Sequence, residues 1–519
     1  MRKISQLNNS TRSERSGAQL GFFPFLLALA LIFPGCNNDN GDENFDDFPL
    51  VQLSDGFRIE KVTDGLTYPT ALAWDDEGQM YVTEAGGGLN PETLAPIRIL
   101  QIGDGGNKTV VANLTDKGVV AAVVGMVWNN GNFYVTHRAE DLTGAVSRVS
   151  MDGQVTNIFK GIIDSQAEHQ INDIRMGPDG MMYVTVGPAG NSGVADLSIA
   201  PWIMASPNLK PVPCQDIVLL GKNFKTPDFR TEDDSDTVLT GAYVPFGTET
   251  SPGQVIPGAT LCGGSILKFD PANPSNIQTH AWGFRNLIGI AWDSQGNMYG
   301  SENGYDVRGS RPVGDDIDAS LRIAEGRWYG IPDFSTGREP LTDPKFEVPD
   351  SLQAMVVVNG QPQGKNLGFL IDHAASGLTP PTPADVLGVH ELNSSPSMVD
   401  IAPASWGALA GHVFIAEWGD LTPPTNPLSG ENYAPGYKVV RVDPSSGTVT
   451  PFVVNQGGGP ASAQQEQGNG LERPFDVQFG PDDAMYIVDY GAVTIDMTKK
   501  PPYNYKAGTG VIWKVSRIE

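Results

Sequence analysis

One strand-like phrase recurs six times along this chain, so the fold has to give six equivalent places to it. Each copy is a polar turn, then an apolar and aromatic strand, then a small or acidic tail. The copies are WDDEGQMYVTEAG around Tyr81, WNNGNFYVTHR around Tyr134, GPDGMMYVTVGPAG around Tyr183, WDSQGNMYGSENG around Tyr299, GALAGHVFIAEWGD around Phe414 and GPDDAMYIVDYG around Tyr486. In each, a Gly/Asn/Asp turn reverses the chain and the next residues alternate in and out as a strand does. A repeat of about 40–50 residues with four strands per unit is the mark of a β-propeller. The predicted fold is therefore all-β, a six-bladed β-propeller with long loop insertions, and its binding site belongs at the mouth of the central channel.

The copies are unevenly spaced. Tyr81, Tyr134 and Tyr183 follow one another at about one blade each, whereas Tyr183 to Tyr299 and Tyr299 to Phe414 are each more than twice as far apart. The excess predicts insertions at about 188–261 and 333–403, of a length that is usually functional. The propeller is expected over 51–519. Its first strand-like segment, VQLSDGFRIEKVTDGL, and its last, GVIWKVSRIE, are the natural pair to close the ring.

The first 36 residues read as an export signal. Arg2, Lys3, Arg12 and Arg15 precede an apolar run from Leu20 to Phe33 that is too short to span a bilayer. The run ends at Gly35-Cys36 before the acidic stretch NNDNGDENFDD, the pattern of a lipoprotein signal with Cys36 as the lipidated residue. Residues 37–50 then form a flexible tether. The expected location is the periplasm or cell envelope, with the lipid anchor as the membrane contact; plain secretion is the alternative. The other two cysteines, Cys214 and Cys262, form an even pair in an exported protein. That favours a disulfide over two buried thiols.

The formal net charge of −26 offers no basic stripe to phosphates, which argues against nucleic acid. Most of that acidity is expected to be solvated surface. Asp clusters also suit calcium, which prefers hard oxygen ligands.

Two segments place polar groups where the chain enters an innermost strand. One is Glu168-His169-Gln170-Ile171-Asn172-Asp173; the other runs from His280 to Gly289 and holds Arg285-Asn286. Histidine is the natural general base near neutral pH, and an adjacent carboxylate can orient it. Arginine offers a fixed fork to a carboxylate or a developing oxyanion. Taken singly, a hydrogen-bonded core histidine and an arginine tied to backbone carbonyls explain these residues equally well.

HQINDIRMGPDGMMYVTVG, with an acidic residue before it, resembles the soluble glucose dehydrogenases and sorbosone dehydrogenases that depend on pyrroloquinoline quinone (PQQ). WGFRNLIGIAWDSQGNMYGSENG is similar to that family's GHRNPQGLAWDPDGxLWxSExG, and GDDIDASLRIAEGRWYGIPDF to its GDDELNxIxxGxNYGWP. The resemblance spans Gly65 to Val515 and implies a six-bladed propeller that oxidises a sugar or polyol hydroxyl. It implies PQQ and calcium as cofactors and an external electron acceptor as partner, since no CxxCH cytochrome motif is present. By the same resemblance His169, with Glu168, removes the hydroxyl proton. Arg285 and Asn286 sit beside the reactive quinone carbonyl, and Arg473 binds a PQQ carboxylate. Gly304 and Tyr305 match the loop whose carbonyls hold calcium, and Asp315, Asp316 and Asp318 suit a second calcium.

The match is incomplete. Phe475 stands where the family has a second basic residue. Ala416-Glu417-Trp418-Gly419 lacks the expected Lys, GVVAAVV before Gly125 lacks the expected Gln, and Asn172-Asp173 replaces a Gly-Arg pair. Lys438 and Arg322 are the candidates to compensate. Two other functions therefore stay open: a non-catalytic binding or scaffold propeller, and a calcium-dependent lactonase-like hydrolase.

Overall fold

The computed structural model describes residues 48–88, 92–233, 235–428 and 434–518. Cys36, the 1–36 signal segment and most of the 37–50 tether lie outside them.

A local device explains the repeated phrase. Asp75 accepts the amides of Glu77 and Gln79 on one oxygen and the Tyr81 hydroxyl on the other, at 2.9 Å. The same aspartate holds both the turn and the strand that leaves it. Asp179 with Tyr183, Asp293 with Tyr299 and Asp482 with Tyr486 repeat the arrangement at 2.9, 3.1 and 3.1 Å. At Tyr134 the turn is instead Asn130-Gly131, with φ of 49° and 76°, the left-handed pair that a two-residue hairpin requires. Phe414 has no hydroxyl to offer.

These turns open six antiparallel sheets. In chain order their first strands are Pro69–Trp74, Met126–Asn129, Ile171–Met176, Asn286–Trp292, Pro396–Ile401 and Pro474–Phe479. Each of these packs against the first strand of the next sheet, and the sixth packs against the first, so the six surround one axis. The second strands, such as Met182–Val186 and Met485–Asp489, lie one step outward. Between sheets the apolar faces meet: Tyr81 and Phe133 between the first and second, Phe414, Phe452 and Trp513 between the fifth and sixth. Each such side chain contributes roughly 1.5–3 kcal/mol by leaving water.

The two ends of the described chain share the last sheet. Phe57–Leu66 pairs with Gly510–Arg517 as its outer strands, and Val51–Leu53 adds a fifth strand to the fifth sheet.

The first insertion lies between Met182–Val186 and Ser265–Asp270 of the third sheet. The second is shorter than the sequence suggested. Val386–His390 is the outer strand of the fourth sheet and Pro396–Ile401 is the first strand of the fifth, so only the part before Val386 is inserted. The two insertions make a common sheet in the order Thr237–Gly241, Asn223–Pro227, Met355–Val358, Gln361–Gly364. A disulfide joins Cys214 in the first insertion to Cys262, just before Ser265–Asp270, with Cα atoms 5.1 Å apart. It ties the insertion to the root of the third sheet.

Candidate functional site

Every first strand begins at the same end of the axis, and the loops after the second strands return there. A cavity of about 830 Å³ occupies that end. Thr70, Asn172, Ile288, Ser397 and Phe475 reach it from first strands, Asn303 from the end of a second strand, and Gly87, Trp418 and Tyr490 from the loops after second strands. The first insertion adds Leu197, Ser198, Pro201 and Trp202 as part of the wall. Deeper in the channel Arg175 of the third sheet bonds Asp476 of the opposite, sixth sheet at 3.2 Å and Asp173 at 2.9 Å, so an ion pair bridges the axis there.

The cavity brings together Glu168, His169, Arg285, Asn286, Gly304 and Asp318 among the residues singled out from sequence. A chain of alternating charge runs along one side. Glu168 pairs with Arg308, Arg308 Nε donates to Asp306 Oδ2 at 2.7 Å, and Arg285 Nη2 donates to the same oxygen at 2.7 Å and to Asn191 Oδ1 at 3.0 Å. Two carboxylates thus neutralise two guanidiniums. Burial raises the Glu168 carboxyl above the usual range even though Arg308 pulls it down. Burial also acts to raise Asp306, but Arg285 and Arg308 outweigh it and hold that group low. Arg308, Asp306 and Asn191 were not legible in the sequence. They sit in irregular loops, and only the spacing of Asp306 and Arg308 in GYDVRG hinted at a pair.

His169 is buried with its Nε2 3.6 Å from Glu168 Oε1. Burial, then Arg285, then Arg308 push its pKa well below the ordinary 6.5. The ring is therefore neutral near pH 7, the form that accepts a proton. Asn286 Oδ1 accepts from Asn172 Nδ2 at 3.3 Å. A Cβ at Gly187 would stand 2.6 Å from His169 Cβ and 2.9 Å from Asn286 Oδ1, so the glycine there lets both side chains seat.

The opposite wall is aromatic. Trp418 and Phe475 are half-buried and Tyr490 is buried; Tyr490 stacks on Tyr68 at 5.6 Å and meets Trp418 edge-on at 6.1 Å. Arg473 does not reach the cavity. Its guanidinium lies behind Trp418, 4.1 Å from the ring centre, and Nη1 donates to the carbonyls of Trp418, Gly419 and Asp420 at 3.1–3.3 Å. Its Nη1 holds a loop and its Nη2 donates to the Tyr437 hydroxyl at 3.3 Å. Lys438 pairs with Glu391 and Glu417, and Arg322 donates to the carbonyls of Val386 and Pro444, so neither compensates at the cavity.

The acidic loop is likewise committed to backbone. Asp316 accepts the amides of Tyr305 and Thr336, Asp318 accepts those of Gly304 and Ser395, and Asp315 is exposed. Burial raises Asp316 to about 7 and Asp318 to about 6. Among the described residues no group of three or more His, Cys, Asp or Glu is arranged to hold a metal ion. Asp315, Asp316 and Asp318 are thus not gathered as a three-carboxylate group, and the two buried ones spend their oxygens on backbone amides.

No protein-family model and no curated protein matches this chain. Solved structures do. A calcium structure of a carbohydrate-active enzyme of family AA12 from Trichoderma reesei aligns with a TM-score of 0.51 at 14% identity, over 91% of this chain and 98% of that one. The holo form of a pyranose dehydrogenase PQQ domain from Coprinopsis cinerea aligns at 0.50 and 14%, over 90% and 97%. The PQQ-bound form of an aldose sugar dehydrogenase from Streptomyces coelicolor aligns at 0.47 and 16%, over 90% and 99%. At such identities the shared feature is the fold, an all-β propeller arrangement.

Whether the cavity suits PQQ can be judged from its charges. PQQ is a tricarboxylate and needs cations that are free to meet it. Among the described residues the cavity's cations are Arg285, Arg308 and Lys500. The first two are already matched by Asp306 and Glu168, and Lys500 stands on the exposed rim. Where carboxylate partners were expected, Trp418 and Phe475 present rings. Burying carboxylates there without partners would cost several kcal/mol. The residues present do not fit PQQ.

Proposed function

We propose that the six sheets are the blades of a six-bladed β-propeller, and that its channel-mouth cavity oxidises a hydroxyl of a small sugar or polyol. His169 accepts the hydroxyl proton in that reading. The observation that carries it is where unmatched polar atoms collect. His169 Nδ1, Gln170 Oε1, Arg285 Nε, Asn303 Oδ1, Asn393 Nδ2 and Thr425 Oγ1 are all buried without a hydrogen-bond partner, and all belong to residues lining this cavity. The set mixes donors with acceptors, which suits a neutral ligand bearing several hydroxyls rather than an ion. Glu168 and Arg308 hold the base in place, and Asn172 orients Asn286 at its side. The calcium-dependent hydrolase reading needs converging carboxylates, and Asp316 and Asp318 support it poorly because they cap backbone amides.

Export behind the 1–36 signal, with Cys36 carrying the lipid, is part of the same proposal. The test of the chemistry is exchange of His169 for glutamine. Loss of a general base is expected to slow turnover roughly a hundredfold to ten-thousandfold, while sugar affinity by calorimetry stays within a few-fold. Unchanged turnover would remove His169 from the role.

A further inference from the structure

We infer that the side chains of Lys222 and Asn366 join in an isopeptide bond, Nζ to Cγ, which fastens the first insertion to the second.

The two residues come from distant parts of the chain and meet because the backbone holds both. Lys222 is flanked by pairing to the second insertion. Before it, Leu220 donates to the Leu370 carbonyl at 2.9 Å and Asp372 to that of Val218 at 2.8 Å. After it, Asn223, Phe224 and Lys225 pair with Val357, Val356 and Met355. Asn366 stands on the return from the strand Gln361–Gly364 to Leu370. Gly368, with φ of 50°, makes the room between them. A Cβ there would overlap Lys222 Nζ and stand 3.1 Å from Asn366 Oδ1, so the amine and the amide share one small space. Groups held this way react as if at very high concentration.

The amine is prepared as a nucleophile. Lys222 is partly buried, and no hydrogen bond or ion pair engages its Nζ among the described residues. Burial, then the Arg311 guanidinium, lower its pKa below the ordinary 10.5, while Asp333 pulls the other way. Desolvation and a neighbouring cation are what free a lysine to attack as the neutral amine. Arg311 is buried on the same segment, where it donates to the Leu367 carbonyl at 3.4 Å and the Gly368 carbonyl at 2.8 Å. Its charge opposes a second cation at Lys222 and favours the negative charge that gathers on Asn366 Oδ1 as the amide carbon is attacked. Asn366 Nδ2 has one long contact, to the Gln363 carbonyl at 3.5 Å, so the leaving nitrogen is loosely held.

The step balances without an oxidant or a cofactor. Nζ bonds to Cγ, the Cγ–Nδ2 bond breaks, and the proton shed by the amine leaves on Nδ2 as ammonia. The product is an uncharged amide beside Arg311. It is a second covalent tie on the first insertion, after Cys214–Cys262.

Peptide mapping of the full chain tests this, with digestion at acidic residues in denaturant after reduction of the disulfide. The segments that carry Lys222 and Asn366 are expected as one joined species, lighter than the two together by one ammonia. Lys222→Arg and Asn366→Ala should each yield the two segments apart. Mapped without reductant, both variants should keep Cys214 joined to Cys262, which tells loss of the bond from loss of the fold. Two separate, unmodified segments from the unaltered chain, or a joined species that survives either exchange, would overturn the inference.

Discussion

His169 owes its expected chemistry to neighbours rather than to its own type. Burial and two guanidiniums disfavour the imidazolium, so the ring stays neutral well below pH 6.5. Because its pKa is lowered, the active neutral form is present above the depressed value and is lost only as the pH falls through it. Turnover divided by KM should therefore stay level from pH 8 down through pH 6.5, where an ordinary histidine would be half protonated. A half-drop at pH 6.5 in a steady-state pH profile would contradict that environment. Glu168, His169, Arg285 and Asn286 were legible because they stand at or just before the start of first strands, where side chains face the axis. Arg473 also precedes a first strand, yet its side chain turns outward. The carbonyls of Trp418, Gly419 and Asp420 take its Nη1 there and the Tyr437 hydroxyl its Nη2, and nothing in ERPFDV reveals those partners. Trp418 and Phe475 were visible only as missing cations; that they form one wall is a consequence of ring closure.

At the scale of elements, the repeated phrase was readable because one aspartate and one tyrosine do the same work in four sheets. Thr83, Thr136, Thr185 and Ser301 add a second repeated device. Each hydroxyl accepts the amide of a residue in or just before a first strand: Ala71, Gly125, Asp173 and Gly289 respectively. In five sheets the first strand carries a bulge near its start, as between Ile171 and Ile174 or Leu287 and Ile290. Such bulges redirect side chains toward the cavity. The boundary of the second insertion was not readable. VLGVH is an outer strand with no turn aspartate and no tyrosine, and PSMVDI is separated from its phrase by the turn around Trp406. The common sheet of the two insertions was beyond reach for a different reason. Asn223–Pro227 meets Met355–Val358 from a remote part of the chain, and local periodicity carries no record of such a partner. The loop closed by Cys214 and Cys262 has a sequence separation of 48, long enough for the cross-link to add up to about 4 kcal/mol to that region.

The whole molecule carries several carboxylates that burial has raised: Asp164 and Asp316 to about 7, Asp318 and Asp476 to about 6, against 3.8 ordinarily. Between these values the folded chain holds protons that the unfolded chain has lost, so their contribution to stability is present at low pH and disappears as the pH rises from about 4 to 7. Each unit of raised pKa is worth on the order of 1 kcal/mol. Self-repulsion at a net charge of −26 acts in the same direction. Thermal unfolding should give its highest midpoint near pH 5 and a lower one at pH 8; a midpoint that climbs over that interval would refute this. The central claim concerns what happens at the open end of the axis, and dye reduction tests it most directly. The full chain would be supplied with a neutral two-electron dye and a panel of aldoses and polyols, each with hydrogen or deuterium on the carbinol carbon. The prediction is that at least one of them reduces the dye and does so more slowly when deuterated. Failure of every sugar and polyol to reduce the dye above the rate of the His169→Gln protein would contradict it.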